Sequence, residues 1–335
     1  MVEVWLRYGK TMIFTDLENS FEVLQPARNW SQTEKLADEL AGLVGKGMRK
    51  VVVDYVHGLT GFEKVIESVA MAFRLAGVDL ESVEAYVSSW RYGDVSVERS
   101  LFNVVRNLLD DQGVKKVSQM AATGPDLSDA VVVSPAVFWE GDVQCCRDFL
   151  NYMGARSAGA VVSPVVGCGG VVADVLVAEN PNGDDLVEAV FKAAAYKPSS
   201  NPEIILAGGP GHPVDSKLST CINLASSTVN IQPGKVVVYA FECSEGLGSK
   251  PFIETLLGKT EDAFFKKRVD LWKNTASMHK ICLVTALPST IVEKVLGARQ
   301  SDTLDQAVVY GRRVKSREAN VLVVENVLGT MLTGF

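Results

Sequence analysis

The chain has 335 residues, of which 47% are hydrophobic and 22% charged, and carries a net charge of −7 at pH 7. That length exceeds the size at which one hydrophobic core usually stops growing, so two domains are expected. No run of about 18 uncharged apolar residues offers a membrane span, and the acidic balance argues against a nucleic-acid partner, which needs a concentrated basic face.

The start MVEVWLRYGK lacks the basic residues, apolar run and cleavage site of a signal peptide, so a cytoplasmic location is expected. Short Val- and Ile-rich runs then alternate with amphipathic stretches, the pattern of parallel sheets covered by helices. The first unit is a strand over Lys50–Asp54, a loop to Thr60, and a helix over Gly61–Ala76 with Val65, Val69, Phe73 and Leu75 near one face. A strand over Glu84–Val87 ends at SSWRYGD, a helix covers Val97–Leu109, and Ala130–Val133 reads as another strand. Two apolar runs flanking the turn GCGG, Gly167–Gly170, read as a hairpin, followed by a helix over Asp184–Ala195.

The segment YKPSSNP, Tyr196–Pro202, breaks all periodicity as a linker does, and the domain boundary is expected there. Residues 1–200 and 201–335 are the two expected domains, with the last residues able to pack back on the first. Beyond the linker, strands are expected at Glu203–Ala207, Lys235–Phe241, Ile281–Ala286 and Asn320–Val324. Helices are expected at Val214–Ser226, Pro251–Leu257, Glu261–Met278, Thr290–Leu296 and Leu304–Arg313. The whole reads as α/β: two Rossmann-like domains with mostly parallel sheets and a cleft between them.

Ligands of open parallel sheets bind at the carboxyl ends of strands. Two glycine-rich loops qualify, GGPGHPVD (Gly208–Asp215) and ECSEGLG (Glu242–Gly248). Gly208, Gly209 and Gly211 permit a sharp turn or a close ligand approach, and Asp215 is placed to cap the helix that follows. The spacing matches neither the dinucleotide fingerprint nor the Walker loop.

The run from GGPGHPVD through ECSEGLGSKPF, continuing with ICLVTALPSTIVEKVLG, TLDQAVVYGRRV and ANVLVVEN, resembles the C-terminal domain of the nickel-pincer lactate racemases. From WLRYGKTMIFTD to KVVVDYVHG, the N-terminal half is similar in its order of elements. The resemblance implies a cleft between domains and, in active relatives, a nickel pincer nucleotide tethered to a lysine. That group would take a hydride from a 2-hydroxy acid and return it to the other face. Histidines serve as acid and base, and Arg, Lys and Gln hold the carboxylate.

Position by position, most of that machinery is replaced. The family's Asp-x-Thr-Arg-Pro falls on Asp54 to Gly58, keeping Asp54 and putting His57 in place of the arginine. Its Ala-Thr-Gly-x-His-Arg falls on Val87 to Tyr92, without the histidine. The stretch from Ser134 to Gly159, where the family carries a Pro-His pair and the tethering lysine, contains neither a histidine nor a lysine. In the second domain, Gln and Lys positions fall on Thr220 and Asn223, while the Asp-x-Trp pair, Asp270 and Trp272, agrees with the family.

The chain contains three histidines, at 57, 212 and 279. Asp54 and His57 form a candidate pair that orients toward the interdomain space, or else His57 is a loop histidine in solvent, with Arg91 a candidate carboxylate clamp, or alternatively part of an aromatic edge shielding the seam. His212 is a candidate cleft acid/base or anion donor, or else caps its own turn. His279 reads as a cation at a helix end. Glu242 and Glu245 are either a carboxylate pair or caps for the helix near Ser249. The six cysteines form no CxxC pair and read as reduced, buried thiols, so no metal ligand set is expected.

The catalytic candidates are therefore Asp54, His57 and Arg91, and the ligand-binding candidates Gly208, Gly209, Gly211, His212, Thr220, Asn223 and Trp272. Two functions are expected from these. One is a divergent racemase- or epimerase-like protein acting on a small 2-hydroxy acid, with a homo-oligomer possible. The other is a noncatalytic homologue that binds a metabolite or pairs with an active paralogue.

Overall fold

Two six-stranded sheets organise the chain. The computed structural model describes residues 2–18, 20–44, 47–120, 125–155, 158–178 and 183–335. The strands are β1 (Val2–Tyr8), β2 (Thr11–Leu17), β3 (Phe21–Val23), β4 (Lys50–Asp54), β5 (Glu84–Ser88), β6 (Lys116–Gln119), β7 (Ala130–Val133), β8 (Val137–Trp139) and β9 (Asp142–Gln144). They continue with β10 (Ala160–Gly167), β11 (Val171–Ala178), β12 (Ala195–Tyr196), β13 (Ile204–Gly208), β14 (Val236–Ala240), β15 (Lys280–Val284), β16 (Arg299–Ser301), β17 (Val321–Val324) and β18 (Met331–Leu332). The helices are α1 (Thr33–Leu43), α2 (Phe62–Leu75), α3 (Val95–Asp111), α4 (Cys146–Tyr152), α5 (Gly183–Ala194), α6 (Leu218–Cys221), α7 (Lys250–Leu256), α8 (Ala263–Met278), α9 (Ser289–Lys294) and α10 (Leu304–Val314).

The first sheet has the order β11-β10-β7-β4-β5-β6 and is parallel except for the β10–β11 hairpin. The second, β16-β15-β14-β13-β17-β3, is parallel throughout. Central strands such as AVVV in β7, IILAG in β13 and VVVYA in β14 are buried along their whole length, because helices cover both faces of a parallel sheet. Helix α3 buries Val97, Leu101, Val105 and Leu109, four residues apart, and Asp94 caps it by accepting from the amides of Ser96 and Val97. The expected GCGG hairpin forms, with Gly169 and Gly170 in the left-handed region.

Three differences from the sequence reading matter for the site. First, residues 2–23 belong with the second sheet: β3 pairs with β17, and Val4, Leu6 and Leu17 of the β1–β2 hairpin join the buried cluster of Ile204, Leu206 and Val238. A division at residue 200 separates those residues from the sheet they complete. Second, the expected helix over Val214–Ser226 is broken into a 3-10 turn at Val214–Ser216, the short α6, and a 3-10 stretch at Ile222–Thr228. Its hydroxyls compete for the backbone: Ser216 donates to the Pro213 carbonyl at 2.8 Å, Thr220 to those of Val214 and Lys217, and Thr228 to that of Ala225. Third, Leu75 is 53% exposed rather than part of the buried face of α2, which runs through Phe62, Val65, Ile66, Val69 and Phe73.

One continuous cluster of buried apolar side chains runs from Val53 and Phe73 in the first half to Ile205, Tyr239 and Trp272 in the second. The two sheets thus share a core rather than flank an open space. Among the described residues no helix is long and apolar enough to cross a membrane.

Candidate functional site

The carboxyl ends of the first sheet's strands deliver Asp54 from β4, the loop bearing Arg91 after β5, and Ser134 after β7. The Arg91 guanidinium pairs with the Asp54 carboxylate, which also accepts from the Ser134 hydroxyl at 2.9 Å. Its remaining donors reach the Gln144 side-chain oxygen at 3.1 Å and the Pro135 carbonyl at 3.2 Å. Both charged side chains are completely buried. Arg91 is therefore not a carboxylate clamp, because its fork is consumed inside the protein. Asp54 and His57 do not orient each other either: the carboxylate faces Arg91 and Ser134, and the expected open cleft is closed at this point.

A second buried arginine seals the same seam from the other half. Arg268 on α8 donates to Glu140 at 2.6 Å, to the Tyr92 carbonyl at 3.2 Å and the Ser219 carbonyl at 3.1 Å, and to the Arg91 carbonyl. Glu140 accepts in addition from the Trp139 indole at 3.2 Å. Farther along, Lys217 holds both oxygens of Asp94, at 2.9 and 3.0 Å. A buried pair contributes little net stability, but losing one partner strands the other charge, so these contacts fix how the two halves meet.

His57 lies where the two loops approach. Its ring stands against the His212 backbone near Arg7, its Nδ1 is buried without a partner, and burial pulls its pKa down to about 4. It is a neutral imidazole at pH 7. His279, expected as a cation at a helix end, is also buried and its pKa is lowered by burial, so it does not serve the helix dipole as a charge.

The glycine loop docks on protein, at the tip of the β1–β2 hairpin. The His212 amide donates to the Gly9 carbonyl at 2.8 Å, and the Gly9 amide donates to Asp215 at 2.7 Å. Asp215 thus ties the hairpin turn down instead of capping a helix, and burial, with a contribution from Glu242, pushes its pKa up to about 6 against the bond from Gly9. Gly211 has φ +87° and faces the Gly9 carbonyl, while Gly209 packs on Phe241. A Cβ at Gly208 would lie 2.2 Å from the Glu325 carbonyl oxygen. Gly208→Ala is therefore expected to lower the denaturant midpoint markedly, by separating β13 from the Glu325 backbone; an unchanged midpoint would show that the contact is soft.

Three expected ligand residues are enclosed. Thr220 donates to backbone carbonyls within its own broken helix, Trp272 donates its indole N–H to the Leu296 carbonyl at 2.9 Å, and Asn223 is buried with neither amide atom bonded. In the ECSEGLG loop, Glu242 lies against Gly9, Glu245 sits 3.7 Å from Lys217, and Ser249 begins α7 without a side-chain cap, so neither carboxylate serves that helix. Cys243, at φ +49°, places its sulfur 4.0 Å from that of Cys221. All six cysteines are buried and free, and among the described residues no group of three or more His, Cys, Asp or Glu could hold a metal ion.

Beside these contacts, an open groove of about 510 Å³ lies between the hairpin tip and the glycine loop, with Arg7, Lys10, Met12, Pro210 and His212 along its walls.

No family model matches the chain, and no curated protein matches it in sequence. Among solved structures, the lactate racemase apoprotein from Thermoanaerobacterium thermosaccharolyticum superposes with a TM-score of 0.65 at 9% identity, covering 99% of this chain and 100% of that one. The fold is lactate-racemase-like. A protein from Thermotoga maritima is similar with a TM-score of 0.56 at 10% identity, over 92% of this chain and 100% of that one. At such identities the likeness is one of architecture.

The residues present do not fit the pincer group that the sequence resemblance implies. The stretch from Ser134 to Gly159 has no lysine to tether it and no histidine beside it. Where it meets the strand ends, it is occupied instead by the Ser134 and Pro135 contacts to the Asp54–Arg91 pair and by Glu140 on Arg268. The seam residues Glu140, Lys217 and Arg268 were not among the expected ones. Arg268 carried a readable signal, a charge inside the α8 stripe of Phe265, Val269 and Trp272.

Proposed function

We propose that this chain is a noncatalytic homologue of the lactate-racemase fold that binds a small metabolite and does not racemise a 2-hydroxy acid. The observation that supports the reading is the enclosure of the two candidate residues at the end of β4 and in the loop after β5: Asp54 and Arg91 neutralise each other with no exposed surface. A proton-transfer residue contributes about 10²- to 10⁴-fold to rate and must reach its substrate through a hydrogen bond or one water. Neither side chain meets that requirement. The His57 imidazole is held neutral and turned toward the His212 backbone.

The test is direct. Purified protein incubated with D-lactate and, separately, L-lactate is expected to leave each enantiomer unchanged by chiral chromatography. Intact mass is expected to equal the sequence mass, with no nickel by elemental analysis. Interconversion of the enantiomers, or a covalent adduct with stoichiometric nickel, would sink the reading.

A further inference from the structure

Each cation at the seam has an acid beside it: Arg91 has Asp54, Arg268 has Glu140, and Lys217 has Asp94 with Glu245 farther off. The groove at the hairpin tip departs from that rule. Among the described residues Arg7 and Lys10 make no ion pair, and the one hydrogen bond of Arg7, to the Pro210 carbonyl, is 3.5 Å long, at the limit for such a bond. His212 joins them from the glycine-loop wall. Asp215 and Glu242 approach the same turn at Gly9, but the groove's own lining carries two unpaired cations and an imidazole and no carboxylate, a local arrangement that favours an anion in a chain of net charge −7.

The groove is also built before anything enters it. Its two walls are pinned by the reciprocal bonds of Gly9 with His212 and Asp215, so a ligand need not order the loops. Gly211, at φ +87° with the Arg7 side chain alongside, keeps the floor free of a Cβ. Its volume of about 510 Å³ falls in the range of small-molecule sites.

What lies next to the cations limits the ligand further. Across the hairpin, Arg7 pairs with Met12, and the next outward-facing pair is Trp5 with Phe14. These two rings lie 4.9 Å apart between centroids, tilted by 37°, and stand 42% and 48% exposed. Successive pairs on one face of a hairpin lie roughly 7 Å apart. The same face thus offers cationic donors and, one pair along, an aromatic platform.

We propose that this groove binds a planar organic anion, with its oxyanion held by Arg7, Lys10 and His212 and its ring laid on Trp5 and Phe14. Nucleoside monophosphates and aromatic carboxylates share that chemistry. The site presupposes the binding reading above and supplies its ligand class.

Calorimetric titration of the full chain with adenosine monophosphate, 3-phenyllactate, L-lactate and inorganic phosphate tests it. At least one of the two ring-bearing anions is expected to bind at least tenfold more tightly than L-lactate and inorganic phosphate, and which one binds identifies the source. Arg7→Ala with Lys10→Ala is expected to weaken it at least tenfold, and Trp5→Ala several-fold. Both changes are at surface positions, and an unchanged melting curve confirms that each variant is folded. No binding of either ring-bearing anion at millimolar concentration, or binding indifferent to the Arg7 and Lys10 changes, overturns the site. Racemisation of lactate would instead overturn the binding reading while leaving the groove result to stand by itself.

Discussion

Asp54→Ala is expected to destabilise the protein by about 3–5 kcal/mol, the cost of leaving a buried charge without its partner. The Arg91 guanidinium has no exposed surface and cannot reach water when the carboxylate is removed. Ser134 would lose its acceptor as well, adding a smaller penalty of about 1 kcal/mol. The double change Asp54→Leu with Arg91→Met should recover most of the loss, since a well-packed apolar pair replaces both charges at once. Denaturant midpoints of the parent and the two variants measure this. A loss under about 1 kcal/mol for Asp54→Ala would mean that water reaches the pair. The strand ends would then be an accessible site after all.

That expectation differs from the role the sequence assigned to the same residues, and the reason is physical. Asp54 ends β4 and Arg91 follows β5 in its loop, on the side where α/β sheets present their ligands. Position along a strand does not say whether a polar side chain meets solvent or a complement from elsewhere. The partners lie far away in sequence: 37 residues separate Arg91 from Asp54, and 128 separate Arg268 from Glu140. No local pattern encodes such pairs. The central strands were legible because unbroken Val and Ile runs permit little else when both faces are covered.

The N-terminal hairpin shows the opposite failure. Its strands alternate in burial, Val4 and Leu6 inward with Trp5 outward, but Thr15 takes an inward place on β2. Its turn carries Gly9-Lys10 rather than the usual Asn-Gly or Asp-Gly, so the hairpin signal is weak. Missing it hid what the glycine loop binds. Gly208, Gly209 and Gly211 leave room beside the loop, and part of that room is filled by the hairpin turn. Only the outer side of the same turn, at Arg7 and Lys10, is left open. His212 is the one expected ligand residue besides Gly211 that lines it.

Asp215 and His57 are expected to make opposing contributions to stability between about pH 6.5 and pH 4. Burial raises Asp215 from 3.8 to about 6, so its folded form prefers the proton: its contribution is fully present below about pH 4 and is lost as pH rises through 6. Burial lowers His57 from 6.5 to about 4, so its folded form refuses the proton: its contribution is present above pH 6.5 and is lost as pH falls through 4. Displacements of this size correspond to about 3 kcal/mol each, and between these limits they offset one another. Asp215→Asn keeps an acceptor for the Gly9 amide and removes the first effect. It is expected to be more stable than the parent at pH 7.5 and to lose stability more steeply than the parent from pH 6.5 to 4. His57→Gln is expected to do the reverse, gaining relative to the parent on the acid side. Chemical denaturation at half-unit pH intervals decides the matter. Parallel curves for the parent and Asp215→Asn would show that the carboxylate titrates as if in water, and that the hairpin tip does not seal the glycine loop from solvent.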